Sequence, residues 1–266
     1  MNQFSAVFIS LSSFGAAEVG RHGQLWFARL AHEAGADGVE VRGELLRDLG
    51  GESGEVDDLA GGLRGMKLRV VYSSPEGMFG EDGELDTAAI NRGLSIASRL
   101  GAARLKMSIG KFSPASIASL PVLKTQLNKS AIELVIENDQ TDTAGTLGAL
   151  RKFFRAADAA GLALPMTFDM GNWHWAGECP QQAASVFGSR VAYIHCKGVQ
   201  HQAQRWAAVP MTRSSAAWRS ILGALPNGLP CAIEYPLIGD DLLAVTQSEI
   251  SSLRAIAAAD AEETMQ

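Results

Sequence analysis

"LRKFFRAADAAGLALPMTFD", residues 150–169, decides the fold. An Ala/Leu-rich segment closes at Gly161, and a short apolar run ending in Asp169 follows. Glycine readily takes the left-handed conformation that terminates a helix. An apolar run directly after it reads as a strand covered on both faces. The same phrase recurs at residues 25–42 ("LWFARLAHEAGADGVEVR"), 90–109 ("INRGLSIASRLGAARLKMSI") and 218–236 ("WRSILGALPNGLPCAIEYP"). Helix then strand, repeated, predicts parallel βα units.

Working outward from these repeats gives eight strand candidates: AVFIS, GVEVR, LRVVYS, RLKMSI, ELVIEN, LPMTFD, VAYIHCK and CAIEYP. Eight such units in a chain of 266 residues predict an α/β fold, a (β/α)8 TIM barrel filling residues 1–266 as one domain. A flexible tail is expected at about 259–266. An open doubly wound sheet would favour a glycine-rich phosphate turn after the first strand, and "SLSSFGAAEVG" (10–20) has no GxGxxG. No linker or low-complexity tract divides the chain; "GGESGEVDD" (50–58) and "GEDGELD" (80–86) read as solvated acidic loops.

Apolar residues make up 47% of the chain and charged ones 20%, a soluble globular composition. The formal charge of −6 argues against a nucleic-acid partner, whose affinity comes largely from Lys and Arg. Three widely spaced cysteines, Cys179, Cys196 and Cys231, suit neither a disulfide framework nor a zinc knuckle. Cys196 and Cys231 read as small core fillers. No run approaches the ~20 apolar residues of a membrane span, and "MNQFSAVFIS" has no basic, signal-like start, so no membrane and a cytoplasmic location are expected.

Barrel enzymes build their sites where strands end. Four consecutive later strands deliver one metal-ligand type each to that rim: Glu137, Asp169, His195 and Glu234. A single acid at a strand end is more often a helix cap. Four in register are harder to explain that way, and burying three carboxylates together without a cation is costly. Three carboxylates and one imidazole suit Mn²⁺ or Mg²⁺, with Zn²⁺, Co²⁺ and Ni²⁺ also compatible.

These residues carry a resemblance. "GADGVEVR" with Glu40, the Glu137-Asn138 pair, Asp169-Met170-Gly171-Asn172 with Gly177-Glu178-Cys179-Pro180, His195-Cys196-Lys197 and Glu234 are together similar to the xylose isomerase-like TIM barrel superfamily. That superfamily includes sugar isomerases and epimerases, dehydratases and AP endonuclease family 2. The resemblance implies metal ligation by Glu137, Asp169, His195 and Glu234, a sugar or keto-acid substrate, and a homodimer or homotetramer. The chain departs from it at Asp139, where relatives often carry His, at Gly198, where they carry Asp, and in the glycine-free loop "VPMTRSSAAWRSIL" (209–222).

The expected activity is that of a metal-dependent isomerase or epimerase acting through an enediolate, with Glu137 and Glu234 as the acid–base pair. A dehydratase, a non-catalytic ligand-binding barrel and an abasic-site endonuclease are the alternatives, the last disfavoured by only five histidines and the acidic charge. "GNWHWAGECP" (171–180), following Asp169, is expected to cross the barrel mouth as a loop, with His174, Trp173 and Trp175 against substrate. Glu178-Cys179-Pro180 is expected to open the next helix. Lys197, Lys106 and Glu40 are further substrate-contact candidates. His22, His32 and a loop-borne His201 read as surface residues.

Overall fold

The computed structural model describes residues 4–48, 54–203 and 205–263, with side chains described as far as residue 256. Eight parallel strands close into a barrel: β1 (Phe4–Ser10), β2 (Gly38–Arg42), β3 (Arg69–Ser73), β4 (Arg104–Met107), β5 (Glu133–Glu137), β6 (Met166–Asp169), β7 (Val191–Cys196) and, last, β10 (Leu229–Ile233). Each expected strand is present, and β10 pairs with β1 to complete the circle. Between β7 and β10 lies an element absent from the sequence reading. It is an antiparallel hairpin of β8 (Gly198–Gln202) and β9 (Arg205–Val209), which places His201 on a strand and not in a loop.

Helices α1 (Ala16–His22), α2 (Gln24–Glu33), α3 (Glu55–Gly65), α4 (Thr87–Leu100), α5 (Leu120–Leu127), α6 (Leu147–Ala159), α7 (Asn172–Trp175), α8 (Pro180–Phe187), α9 (Trp218–Gly223) and α10 (Leu242–Glu263) fill the connections. The expected tail is thus helical as far as Glu263; its last three residues lie outside the described set, as do residues 50–53 of the first acidic loop. Helix α6 shows how the local code works. The Thr146 hydroxyl accepts from the Ala149 N–H at its start. Leu147, Leu150, Phe153, Phe154 and Ala157 bury one stripe, and Gly161 at φ 71° turns the chain into β6. Helix α8 opens on Pro180 as expected. No described helix is long and apolar enough to cross a membrane.

Strand side chains alternate, so one face of every strand meets the helices and the other fills the barrel. On β7, Ile194 and Cys196 join the outer core while Tyr193 and His195, and Lys197 just past the strand's end, point inward. The barrel floor is a small cluster of Ala6, Phe8, Val71, Tyr193 and Ala232, with the Phe8 and Tyr193 rings edge to face at 5.7 Å. Gly38 makes room for this floor: a Cβ there would lie 2.3 Å from the Phe8 ring and 2.5 Å from the Arg69 carbonyl oxygen. Cys196 and Cys231 are buried, unbridged core residues on adjacent strands.

Gly38→Ala is therefore expected to destabilise the fold by about 1–3 kcal/mol through overpacking. Gly61→Ala, on the open face of α3 where a Cβ meets nothing within 4 Å, is expected to stabilise it by about 0.4–1 kcal/mol. Urea unfolding midpoints at constant slope check both.

Candidate functional site

The polar ends of the strands meet above the floor. Glu137 closes β5, Asp169 closes β6, His195 lies on β7 and Glu234 follows β10. One ligand atom from each lies within 4.8 Å of all the others. His195 Nδ1 faces Glu234 Oε2 at 2.8 Å, Glu137 Oε1 at 3.0 Å and Asp169 Oδ2 at 3.5 Å. His195 and Asp169 are fully enclosed, whereas the Glu137 and Glu234 side chains keep 15% and 12% exposure. The two glutamates therefore border the mouth, and the other two residues close its base.

Three cations hold these carboxylates. Lys197 Nζ lies 2.8 Å from Asp169 Oδ2 and 2.7 Å from Glu234 Oε2. Lys106 Nζ lies 2.8 Å from Glu137 and 3.0 Å from Glu40. Arg42 Nη1 reaches Glu234 Oε1 at 2.6 Å and Glu40 Oε1 at 3.0 Å, and its Nε donates to Glu44 at 2.8 Å. Burial alone would raise the Glu234 carboxyl, but Lys197, His195 and Lys106 overcome it and hold it well below the usual carboxylate range. Glu137 is lowered too: burial opposes, while Lys106 and His195 prevail. Asp169 differs. Burial pushes it up, and Lys197 offsets this only in part. Burial would lower the Lys197 ammonium, yet Asp169 and Glu234 keep it strongly protonated.

Neutral side chains fix the strand ends. Asn138 Oδ1 accepts from the Asp169 N–H at 2.9 Å and its Nδ2 donates to the Asp169 carbonyl at 3.0 Å, continuing the β5–β6 ladder with a side chain. Asn172 Nδ2 donates to the Asn138 carbonyl, and its Oδ1 accepts from Lys197 and Gln140. The Gly171 and Asn172 N–H groups both donate to Asp169 Oδ1 at 2.8 Å, which aims Asp169. Gln24 does for β2 what Asn138 does for β6, bonding the N–H and the carbonyl of Arg42. Gly171 also lets the Lys197 stem pass, since a Cβ there would sit 2.7 Å from its Cδ.

Several expected contacts are corrected. Trp173 has no exposed surface. It packs between Phe168 and Phe187, at ring distances of 5.5 and 6.1 Å, because α7 turns it into the core. Within the expected loop 171–180, residues Asn172–Trp175 form the short helix α7. Glu40 and Lys106 are enclosed, at 0% and 1% exposure, and pair with each other at 3.0 Å. His174 and Trp175 remain half-buried at the rim. The His174 ring lies 4.9 Å from that of Trp206, which in turn meets His201 at 5.0 Å. Hairpin β8–β9 thus leans on α7, and Trp206, overlooked in the sequence, forms this part of the rim. His22 and His32 lie at the exposed surface on α1 and α2.

The donor set fits a divalent ion. Asp169 Oδ2 is buried, meets Lys197 Nζ at 2.8 Å, and belongs to the four converging atoms. Hard oxygen donors with one imidazole are the chemistry such an ion takes.

Barrel and centre together define a (β/α)8 protein with an acid-rich, imidazole-containing pocket floor at the carboxyl ends of its strands. No family model and no curated protein matches the sequence. Among solved structures, L-ribulose 3-epimerase aligns over 99% of each chain at 13% identity and TM-score 0.69. The IolI protein with a bound zinc atom covers 95% of this chain and 99% of its own at 10% identity and TM-score 0.69. The probable 3-DHS dehydratase AsbF of Bacillus anthracis covers 93% and 98% at 14% identity and TM-score 0.67. The chain has the fold of the xylose isomerase-like TIM barrels.

Asn138→Ala removes both bonds to the Asp169 backbone and is expected to cost about 1–3 kcal/mol in stability, read by thermal or denaturant unfolding.

Proposed function

We propose that the protein is a divalent-metal-dependent isomerase or epimerase of a sugar, sugar phosphate or related hydroxy-keto compound. The observation that carries this reading is the convergence of Glu137, Asp169, His195 and Glu234 within 4.8 Å. The shared fold with L-ribulose 3-epimerase and with zinc-bound IolI supports it. Glu137, Asp169, His195 and Glu234 would hold the ion, Mn²⁺ or Mg²⁺ by donor type and Zn²⁺ by the IolI likeness. When bound, such an ion supplies Lewis-acid stabilisation of the negative charge that develops beside a carbonyl.

The remaining work falls to the chain. Glu137 and Glu234 stand three barrel positions apart, in the order β5, β6, β7, β10. They reach the mouth from different sides. Both are held as carboxylates, by Lys106 at Glu137 and by Lys197 with Arg42 at Glu234. Either can therefore accept a proton from the carbon beside the carbonyl. Proton return by the other glutamate to the opposite face of that carbon inverts it. Return to the neighbouring carbon interconverts aldose and ketose. Lys197, 9% exposed, is placed to balance an enediolate oxygen or a substrate acid group. His174, with Trp206 and Trp175, screens the reacting carbon from water.

Glu137→Gln and Glu234→Gln are each expected to slow exchange of the substrate α-hydrogen with D₂O by about 10²–10⁴-fold. Undiminished exchange in both would falsify the acid–base pair. Metal analysis of wild-type protein should find one ion per chain, lost in Asp169→Asn.

The likeness to a dehydratase supports a second reading, in which the same proton abstraction expels a β-hydroxyl. Product mass separates the two, since isomerisation conserves mass and dehydration removes one water.

A further inference from the structure

We infer that Glu40 is a positioning residue that fixes which nitrogen of His195 carries a proton, and so presents Nδ1 to the cation. The inference rests on reading the centre as a divalent-ion site. It concerns a side chain that touches neither the ion nor the substrate.

Glu40 comes from β2, on the far side of the β7–β10–β1–β2 arc from His195. Its Oε2 lies 2.8 Å from His195 Nε2, and neither side chain has any exposed surface. Its other oxygen, Oε1, takes Lys106 Nζ and Arg42 Nη1, each at 3.0 Å. Lysine and arginine are donors only, so Oε1 is occupied as an acceptor twice over and Glu40 is a carboxylate. A carboxylate can only accept at Oε2. The facing nitrogen must therefore donate, which places a proton on Nε2.

In a neutral imidazole the lone pair is then on Nδ1. That atom looks into three carboxylate oxygens, of Glu234, Glu137 and Asp169, at 2.8 to 3.5 Å. Lys197 Nζ meets two of these oxygens, Asp169 Oδ2 at 2.8 Å and Glu234 Oε2 at 2.7 Å, and a metal ion among the four atoms would engage the Nδ1 lone pair as well. Turning the ring over would point carbon at Glu40 and carbon at the acid cluster, leaving both unpaired, so the ring has one usable orientation. A carboxylate, an imidazole and an ion in series is a known means of orienting a metal ligand and strengthening it as a base. Here Lys106 carries the arrangement further, because the ammonium that saturates Glu40 also holds Glu137.

Glu40→Gln should reverse the outcome. The amide oxygen will turn to Lys106 and Arg42, since the NH₂ group cannot face two cations. The NH₂ then meets Nε2 and demands a lone pair there, which moves the ring proton to Nδ1. A protonated Nδ1 cannot bind an ion.

The experiment uses full-length protein labelled with ¹⁵N-histidine, the His195 signals being assigned from the spectrum of His195→Gln. Zn²⁺ affinity is measured in parallel by competition with a chelator. In wild type, Nε2 should carry a proton with and without Zn²⁺, and only the Nδ1 signal should move on addition of the ion. In Glu40→Gln the proton should appear on Nδ1, and Zn²⁺ affinity should fall about 10–100-fold. Glu40→Asp, which restores an ionised acceptor, should recover the wild-type proton position. Movement of Nε2 on Zn²⁺ addition, or wild-type affinity and signals in Glu40→Gln, overturns the inference. If wild type binds no ion, the metal reading fails by itself; a proton on Nε2 that disappears in Glu40→Gln still establishes the Glu40 contact, and its absence refutes it. Should Glu40→Gln not fold, the wild-type spectrum still tests the inference: an Nε2 without a proton overturns it, and an Nε2 proton kept in wild type and in Glu40→Asp supports it.

Discussion

Four carboxylates, Glu40, Glu137, Asp169 and Glu234, share one buried imidazole, and the rest of the structure serves that crowding. Isolated carboxylates at such depth would give up their charge. Arg42, Lys106 and Lys197 oppose this by touching every one of the four, overcoming burial at Glu40, Glu137 and Glu234 and offsetting it in part at Asp169. The balance is tight because the cations are enclosed as well: each depends on the acids as much as the acids depend on it. Removal of one member leaves an uncompensated charge for its neighbours, so the set behaves as a unit.

Strand geometry makes the crowding reachable. Alternation sends Tyr193, His195 and Lys197 into the barrel as successive storeys: aromatic floor, imidazole, then ammonium. On β2 the inward series Gly38, Glu40, Arg42 runs from a residue with no side chain, through an acid, to a guanidinium. The small residue at the bottom gives space to Phe8, and charge appears only above that apolar plug. Asn138 and Gln24 then lock the strand ends through backbone groups, which keeps the acids aimed without adding charge.

The barrel was readable in the sequence because each strand is a short apolar run behind a helix-ending glycine, as at Gly161 before β6. Glu137, Asp169, His195 and Glu234 were readable for a related reason: a polar residue that interrupts an apolar run at its carboxyl end has few structural explanations. The inner pair, Glu40 and Lys106, looked like rim residues, since a linear sequence does not show how deep a strand end sits. Trp173 misled because α7 has only four residues, too few to display a period. The hairpin escaped notice because its turn uses Ala203 at φ 54°, where glycine or asparagine would have marked it.

That hairpin pairs only with itself and stands outside the closed ladder of the barrel. Its lean on α7 comes through the Trp206 and His174 rings, without a strand of the cylinder between them. The molecule thus combines two kinds of support: interlocked ion pairs hold the charged interior, whereas the eaves over it are seated by the buried Val199 and Val209 and by the bonds that tie Val199 to Ser214 and Ser215.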